Sequence, residues 1–293
     1  MQRYRSSDED SARWDGFRFR DGDIVVSTRT KHGTTWMQMI CLLLIHRIPD
    51  LPAPLAELSP WLDWLVEDRD EVVGRLDRQQ HRRVIKTHTP LDGLALSDQA
   101  TYIVVARHPL DAAVSLRHQG DNIDRRRMAE LSGSAMPESL SGAGRQGPAE
   151  EWLDRWIDAR ADPADELDSL DGVFHHLTDA WGRRHDRNVV LVHYQDLLDD
   201  LNGEFRRLAG ELSIEIDDDA LALLVDAARF DAMQTRAERL VPDRLGVLKD
   251  PSAFFRRGCS GSGRAAASAE ALSLYESRAR ALAPPDLLSW LHR

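Results

Sequence analysis

Four short stretches of the chain carry side chains able to grip an anion and move a proton. The first, TRTKHGTTW at 28–36, sets Lys31 and Gly33 between an apolar run at 24–26 and another at 37–45. A lysine just ahead of a helix opened by Thr34 and Thr35 gathers charge, hydroxyls and free backbone N–H groups where the helix dipole favours an anion. The order is not that of an ATP-type P-loop, whose lysine follows the second glycine and directly precedes Ser or Thr. Trp36 offers a flat face to a base. The second stretch, KTHTP, has Lys86 and His88 two apart at the end of an apolar run, so both fall on one side of a strand. A cation beside a histidine lowers its pKa and keeps it neutral, as a general base requires. In the third, ARHPLDAAVS, Arg107 ends another apolar run and Ser115 lies on a helix that Pro109 opens. The fourth, FFRRG, sets Arg256 and Arg257 beside Gly258. Arginine binds phosphate through paired N–H groups. Each stretch also has a plain reading: an incidental loop lysine, solvated strand-end residues, surface ion pairs. Asp111 reads as a helix-start charge favoured by the dipole.

The bulk properties narrow the field. The chain has 293 residues, 42% hydrophobic and 30% charged, which fits a globular protein with a sizeable core. A net charge of −11 argues against general nucleic-acid binding, so any anionic ligand needs a local basic pocket. The two cysteines, Cys41 in an apolar helical run and Cys259, make no disulfide framework and suit a reducing compartment. The start, MQRYRSSDEDSARWDG, has no apolar signal segment, and the run at 40–45 is far short of the ~20 residues that span a bilayer. The expectation is a cytoplasmic protein with no integral membrane segment. His175, His176 and His185 lack metal-ligand spacing, and no Cys-x-x-Cys occurs. GCSGS misses a G-x-S-x-G nucleophile elbow at Ser262.

Something must hold these stretches in place. Strands are expected at 24–27, 84–86, 102–106 and 189–193. Helices are expected at 34–46, from Pro109, across 150–187 with Trp152, Trp156 and Trp181 on apolar faces, and at 196–212, 218–228 and 266–282. Short apolar runs alternating with helical stretches predict an α/β fold: one domain over 1–293, core about 20–283, with a central parallel sheet flanked by helices. The carboxyl ends of such strands line one crevice. Residues 49–60 are proline-rich and loop-like, and Trp61 and Trp64 follow as possible walls for an apolar or sugar ligand. Residues 131–148 are rich in Ser, Gly, Ala and Pro and read as a mobile loop or lid. Arg125, Arg126 and Arg127 read as a solvated helix face.

Taken together, the motifs resemble the PAPS-dependent sulfotransferases (PAPS is 3′-phosphoadenosine 5′-phosphosulfate; PAP is its desulfated product). The family's P-K-S-G-T-T-W loop is similar to Thr30 through Trp36, and its K-T-H-x-P-L matches Lys86 through Leu91. Its arginine eight residues before a serine matches Arg107 and Ser115, its Y-E-D-(M/L) looks like Tyr194 through Leu197, and its R-K-G-x-x-G looks like Arg256 through Gly261. The matches fall in order between residue 24 and about 264. "HRRVIKTHTPLDGL" and "LAPPDLLSW" look most like mycobacterial and other actinobacterial members, some described as glycolipid sulfotransferases. The resemblance implies a P-loop-like sulfotransferase fold and sulfonate transfer from PAPS to a hydroxyl of a small-molecule, sugar or glycolipid acceptor. It makes His88 the base, with Lys31 and Lys86 stabilising developing charge. Lys31, Gly33, Thr34 and Thr35 would hold the 5′-phosphate. Arg107, Ser115, Arg256, Arg257 and Gly258 would surround the 3′-phosphate, and Trp36, Tyr194 and Phe230 the adenine. No metal is called for, since the cations do its work. The chain departs from the pattern at Thr30, His32, Gln195 and Gly263, the last where the family has tryptophan. The family's dimer motif is barely recognisable around 264–273, so no oligomeric state carries over. A P-loop-like small-molecule kinase and a non-catalytic PAP-binding homologue are the alternatives.

Overall fold

The computed structural model describes residues 1–132 and 148–293. Its four parallel strands form one sheet in the order β2-β1-β3-β4: β1 Asp23–Ser27, β2 Val84–Thr87, β3 Ala100–Ala106 and β4 Val189–His193. Val26 lies opposite Lys86 on one side and Ile103 on the other, and Ala106 opposite His193. Both faces of the sheet are covered, which is why the strands read as unbroken apolar runs. Alternation assigns the faces. Ile24, Val26, Ile103, Val105, Val190 and Val192 serve one core, while Val25, Ile85, Tyr102 and Val104 serve the other.

The helices, in chain order, begin with α1 Thr34–His46, α2 Leu55–Leu58, α3 Arg69–Arg78, α4 Pro109–Asn122 and α5 Arg125–Ser132. Then come α6 Ala149–Asp158, α7 Leu170–Gly182, α8 Tyr194–Asp199, α9 Leu201–Glu211 and α10 Asp218–Ala227. The last are α11 Phe230–Thr235, α12 Ala237–Leu240, α13 Ser262–Ala266, α14 Ala269–Leu282 and α15 Pro285–Leu291. Helices α1, α9 and α10 pack on the Ile24 side, and α4, α6, α7 and α14 on the Val25 side. Helix α1 is buried from Met37 through Leu44. Fully burying each large apolar side chain contributes ~1.5–3 kcal/mol, so the loop ahead of α1 is anchored on a fixed post. Among the described residues no helix is long and apolar enough to cross a membrane.

Where spans differ from the sequence reading, a local hydrogen bond beats the apolar pattern. The expected helix at 196–212 is two, α8 and α9, because Asp200 accepts from Gly203 N at 2.8 Å and caps a new start. The helical stretch expected over 150–187 is α6 and α7 with a connection between them, and Ser169 caps α7. Ser268 likewise starts α14 at Ala269 rather than 266. The 49–60 loop contains the single turn of α2. Arg127, expected on a solvated face, donates to the Leu245 carbonyl at 3.1 Å. Of the expected 131–148 loop, 131 and 132 end α5, Pro148 precedes α6, and 133–147 lie outside the described residues.

Candidate active site

All four strands point one way, so their carboxyl ends open on one edge. The loop 28–33 leaves β1 there, His88 follows β2, Arg107 follows β3, and Tyr194 follows β4. In that loop Lys31 and Gly33 both take left-handed backbone, at φ 66° and 109°, on either side of His32. Gly33 is the cap residue of α1, and a Cβ there would come 3.0 Å from the Tyr194 ring. Glycine is required by both conformation and space. Gly33 supplies no side-chain cap, and the first N–H groups of an α-helix have no intrahelical acceptor, so the residues Thr34, Thr35 and Trp36 bring free amides to the cleft they line.

That cleft brings together every site residue expected from the sequence: Lys31, Gly33 through Trp36, Lys86, His88, Arg107, Ser115, Tyr194, Phe230, Arg256, Arg257 and Gly258. Among the described residues five cations line it and no carboxylate does. Three rest on aromatic faces: Lys31 Nζ lies 4.1 Å from the Phe254 centroid, Lys86 Nζ 3.9 Å from Trp61, and the Arg107 guanidinium 4.4 Å from Tyr194. Burial, then Arg107, Lys86 and Arg256, pull the Lys31 ammonium down to about 7. Burial lowers Lys86 to about 8, against the pull of Asp63, Glu9 and Asp168. Arg107 ties two loops together, donating to the Lys31 carbonyl at 3.3 Å and the Cys259 carbonyl at 2.8 Å. Trp36 is fixed by a 2.9 Å bond from Nε1 to the Ala228 carbonyl and meets Tyr194 edge-on. The side chain of His32 turns away from the cleft. It is buried and bonded through Nδ1 to Thr30 O at 3.1 Å, and burial takes it down to about 4.

His88 is 3% exposed, and its Nδ1 bonds the Thr28 carbonyl. A carbonyl can only accept, so the proton is on Nδ1 and the Nε2 lone pair is free. Burial, then the Lys86 and Arg29 charges, holds the ring neutral well below the ordinary histidine range. The Trp61 ring stands 4.7 Å from His88 and stacks on Trp64 at 5.5 Å. Among the described residues no group of three or more His, Cys, Asp or Glu is placed to hold a metal ion.

Sequence reasoning passed over several participants. Phe254 and Phe255 sat beside the flagged arginines as unused aromatic signals, and both line the cleft with Gln119, Met233, Pro242 and Cys259. Asp111 stands in the first turn of α4 as expected, but it does more than face the helix dipole. It is 2% exposed, and its carboxylate accepts from Gly261 N at 2.8 Å, Gly263 N at 2.6 Å and Ser262 Oγ at 3.2 Å, holding the loop that carries Arg256 and Arg257. Gly263 sits against α4 so closely that a Cβ would lie 2.2 Å from the Leu110 carbonyl carbon. The tryptophan of the family pattern has no room here. We expect Gly263→Trp to destabilise the protein by ~3 kcal/mol or more in urea unfolding. Unchanged stability would contradict this packing.

The sequence comparisons agree with this geometry. The family model described as "Sulfotransferase domain" matches residues 21–266. The glycolipid sulfotransferase of Mycobacterium bovis is 42% identical over 308 residues, covering 99% of this chain and 93% of the relative. That of Mycobacterium tuberculosis is 42% identical over 307 residues with the same coverage. Among solved structures, a retinol dehydratase in complex with retinol and PAP superposes with a TM-score of 0.69 at 20% identity, covering 91% of this chain and 82% of that one. That likeness is one of fold. With the family model spanning most of its length and near relatives matching end to end, the chain belongs to the sulfotransferase domain family.

Proposed function

We propose that this chain transfers a sulfonate from PAPS to a hydroxyl of a lipid-linked sugar, with His88 as general base. The observation that carries the reading is the cleft itself: among the described residues, five cations, no carboxylate and a helix N-terminus beside one buried neutral imidazole. Such a lining fits a ligand with phosphates at both ends of a nucleoside. The amides of Gly33, Thr34 and Thr35 with Lys31 suit the 5′-phosphate. Arg107, Ser115, Arg256, Arg257 and the Gly258 amide suit the 3′-phosphate, and Trp36, Tyr194 and Phe230 suit the adenine. PAPS, when bound, supplies the sulfonate and a phosphate leaving group.

His88 Nε2 accepts the proton of the acceptor hydroxyl as that oxygen bonds to sulfur. PAPS would supply the leaving group, since the electron pair of its broken sulfur–oxygen bond would stay on PAP. Lys31 would meet the charge that grows on that oxygen, and Lys86 the charge on the sulfonate. The sugar-lipid acceptor is supported by the names of the 42%-identical relatives and by the stacked Trp61 and Trp64 beside His88.

His88→Ala is expected to lower transfer from labelled PAPS to mycobacterial glycolipid by at least ~100-fold while leaving PAP affinity within about twofold. An active variant would remove His88 as base. A second expectation concerns pH. An anion raises the pKa of a bound ammonium, so the complex holds more protons than the free protein just above pH 7, where free Lys31 titrates. PAP affinity should fall as pH rises from about 7 through Lys86 at about 8. Calorimetry at pH 8 in buffers of different ionisation enthalpy should register proton uptake. Binding without uptake would contradict these lysine assignments.

A further inference from the structure

We infer that Arg29 is the positioning residue for His88, and that it brings the segment ahead of the matched family domain into the catalytic apparatus. The inference rests on the reading of His88 as base. Three hydrogen bonds fix His88. Its ring Nδ1 bonds Thr28 O, its backbone N–H donates to Asp63 Oδ2 at 3.3 Å, and its carbonyl accepts from Arg29 Nη1 at 2.5 Å. The first two have local logic, since Thr28 and Asp63 belong to loops beside β2. Asp63 also accepts from Thr87 Oγ1 and Thr89 Oγ1, each at 2.7 Å, so both neighbours of His88 hang on the same carboxylate. The third reaches further.

Arg29 is 1% exposed, and its side chain joins parts of the chain far apart in sequence. Both Nη atoms lie 3.3 Å from Glu9 Oε1, and Nη2 lies 2.6 Å from Asp168 Oδ1. Glu9 precedes the matched residues 21–266. It reaches the site because the N-terminal segment folds back, with Asp10 N donating to Asp63 O and a bridge pairing Glu9 with Trp64. Asp168 lies between α6 and α7, its carbonyl accepting from Trp156 Nε1 at 3.0 Å. A guanidinium presents its donors in a fixed plane, so anchoring one side on Glu9 and Asp168 sets where the other meets the His88 carbonyl. Turning the peptide at 88 would carry the ring off Thr28 O and swing Nε2. The charged and titratable groups facing His88 are Lys86 on β2, Asp63 at its backbone N–H, Arg29 from the loop after β1 and His176 from α7. Glu9 and Asp168 face it only through Arg29.

The test needs no acceptor. Protein labelled with ¹⁵N-histidine gives ring spectra from pH 5 to 9, with His88→Gln identifying the signal. The wild type is expected to show one neutral tautomer with its proton on Nδ1 throughout. Arg29→Met with Glu9→Gln removes the donor and one of the two carboxylates it would strand. There His88 is expected to lose the single tautomer and to titrate within that range. Arg29→Lys keeps the charge but not the fork, and should mix the tautomers without bringing titration into that range. Should the double variant fail to fold, the lysine variant decides alone. A His88 signal identical to wild type in the folded variants would overturn the inference and leave Arg29 a merely structural ion pair. PAP added to the same samples separates the two readings. A wild type whose melting temperature ignores PAP would count against the cofactor assignment while the His88 spectra still judged Arg29.

Discussion

Everything in this site follows from one constraint: a chain with a net charge of −11 must hold five cations around one cleft with no carboxylate among the described residues of its lining. Two like charges 4 Å apart repel by ~4 kcal/mol at an effective dielectric of 20, so such a lining cannot be left to chance. The molecule relieves it in ways that leave the cleft open to an anion. Phe254, Trp61 and Tyr194 present aromatic faces to Lys31, Lys86 and Arg107. Such contacts contribute ~0.5–2 kcal/mol without adding negative charge. Backbone carbonyls take the N–H groups of Arg107. The lysines shed part of their charge by lowering their proton affinity.

The carboxylates lie one layer behind the cleft lining. Glu9, Asp63 and Asp168 pull on Lys86 without lining the cleft, and the first and last clasp Arg29. Burial, the largest effect, and the negative neighbours Asp63 and Asp168 outweigh Arg29 and push the Glu9 carboxyl up to about 8. The arrangement divides the work. The inner layer fixes the backbone that bears His88, and the outer layer keeps a positive field in the cleft. Asp111 serves the same end from α4, holding the 261–263 turn by its amides and placing the loop arginines without neutralising them.

Much of this was legible in the sequence because it is local. Lys31 and Gly33 precede a helix, Lys86 and His88 share a strand end, and Arg107 precedes Pro109. The parallel sheet then delivers each to the same edge. The strand runs were readable because both faces of the sheet are buried. What stayed hidden depends on contacts distant in sequence. Arg29 is an ordinary arginine until Glu9 and Asp168 meet it, and Asp111 an ordinary first-turn acid until 261–263 folds onto it. Gly263 looks like a lost tryptophan until α4 is seen to occupy the space. His32 looks like a threat to the loop until its ring is found turned inward. Helix boundaries missed where Asp200 and Ser268 supplied caps that an apolar pattern does not encode.

The most direct measurement is the thermal stability of the purified protein with PAP, ADP or magnesium-ATP at matched concentrations. A ligand at a hundredfold excess over its Kd stabilises the native state by about 2.7 kcal/mol. The account predicts a shift with PAP well above that with ADP, because only PAP brings a 3′-phosphate to Arg107, Ser115 and the Arg256–Arg257 pair. Equal shifts with PAP and ADP, or a response to magnesium-ATP alone, would contradict it.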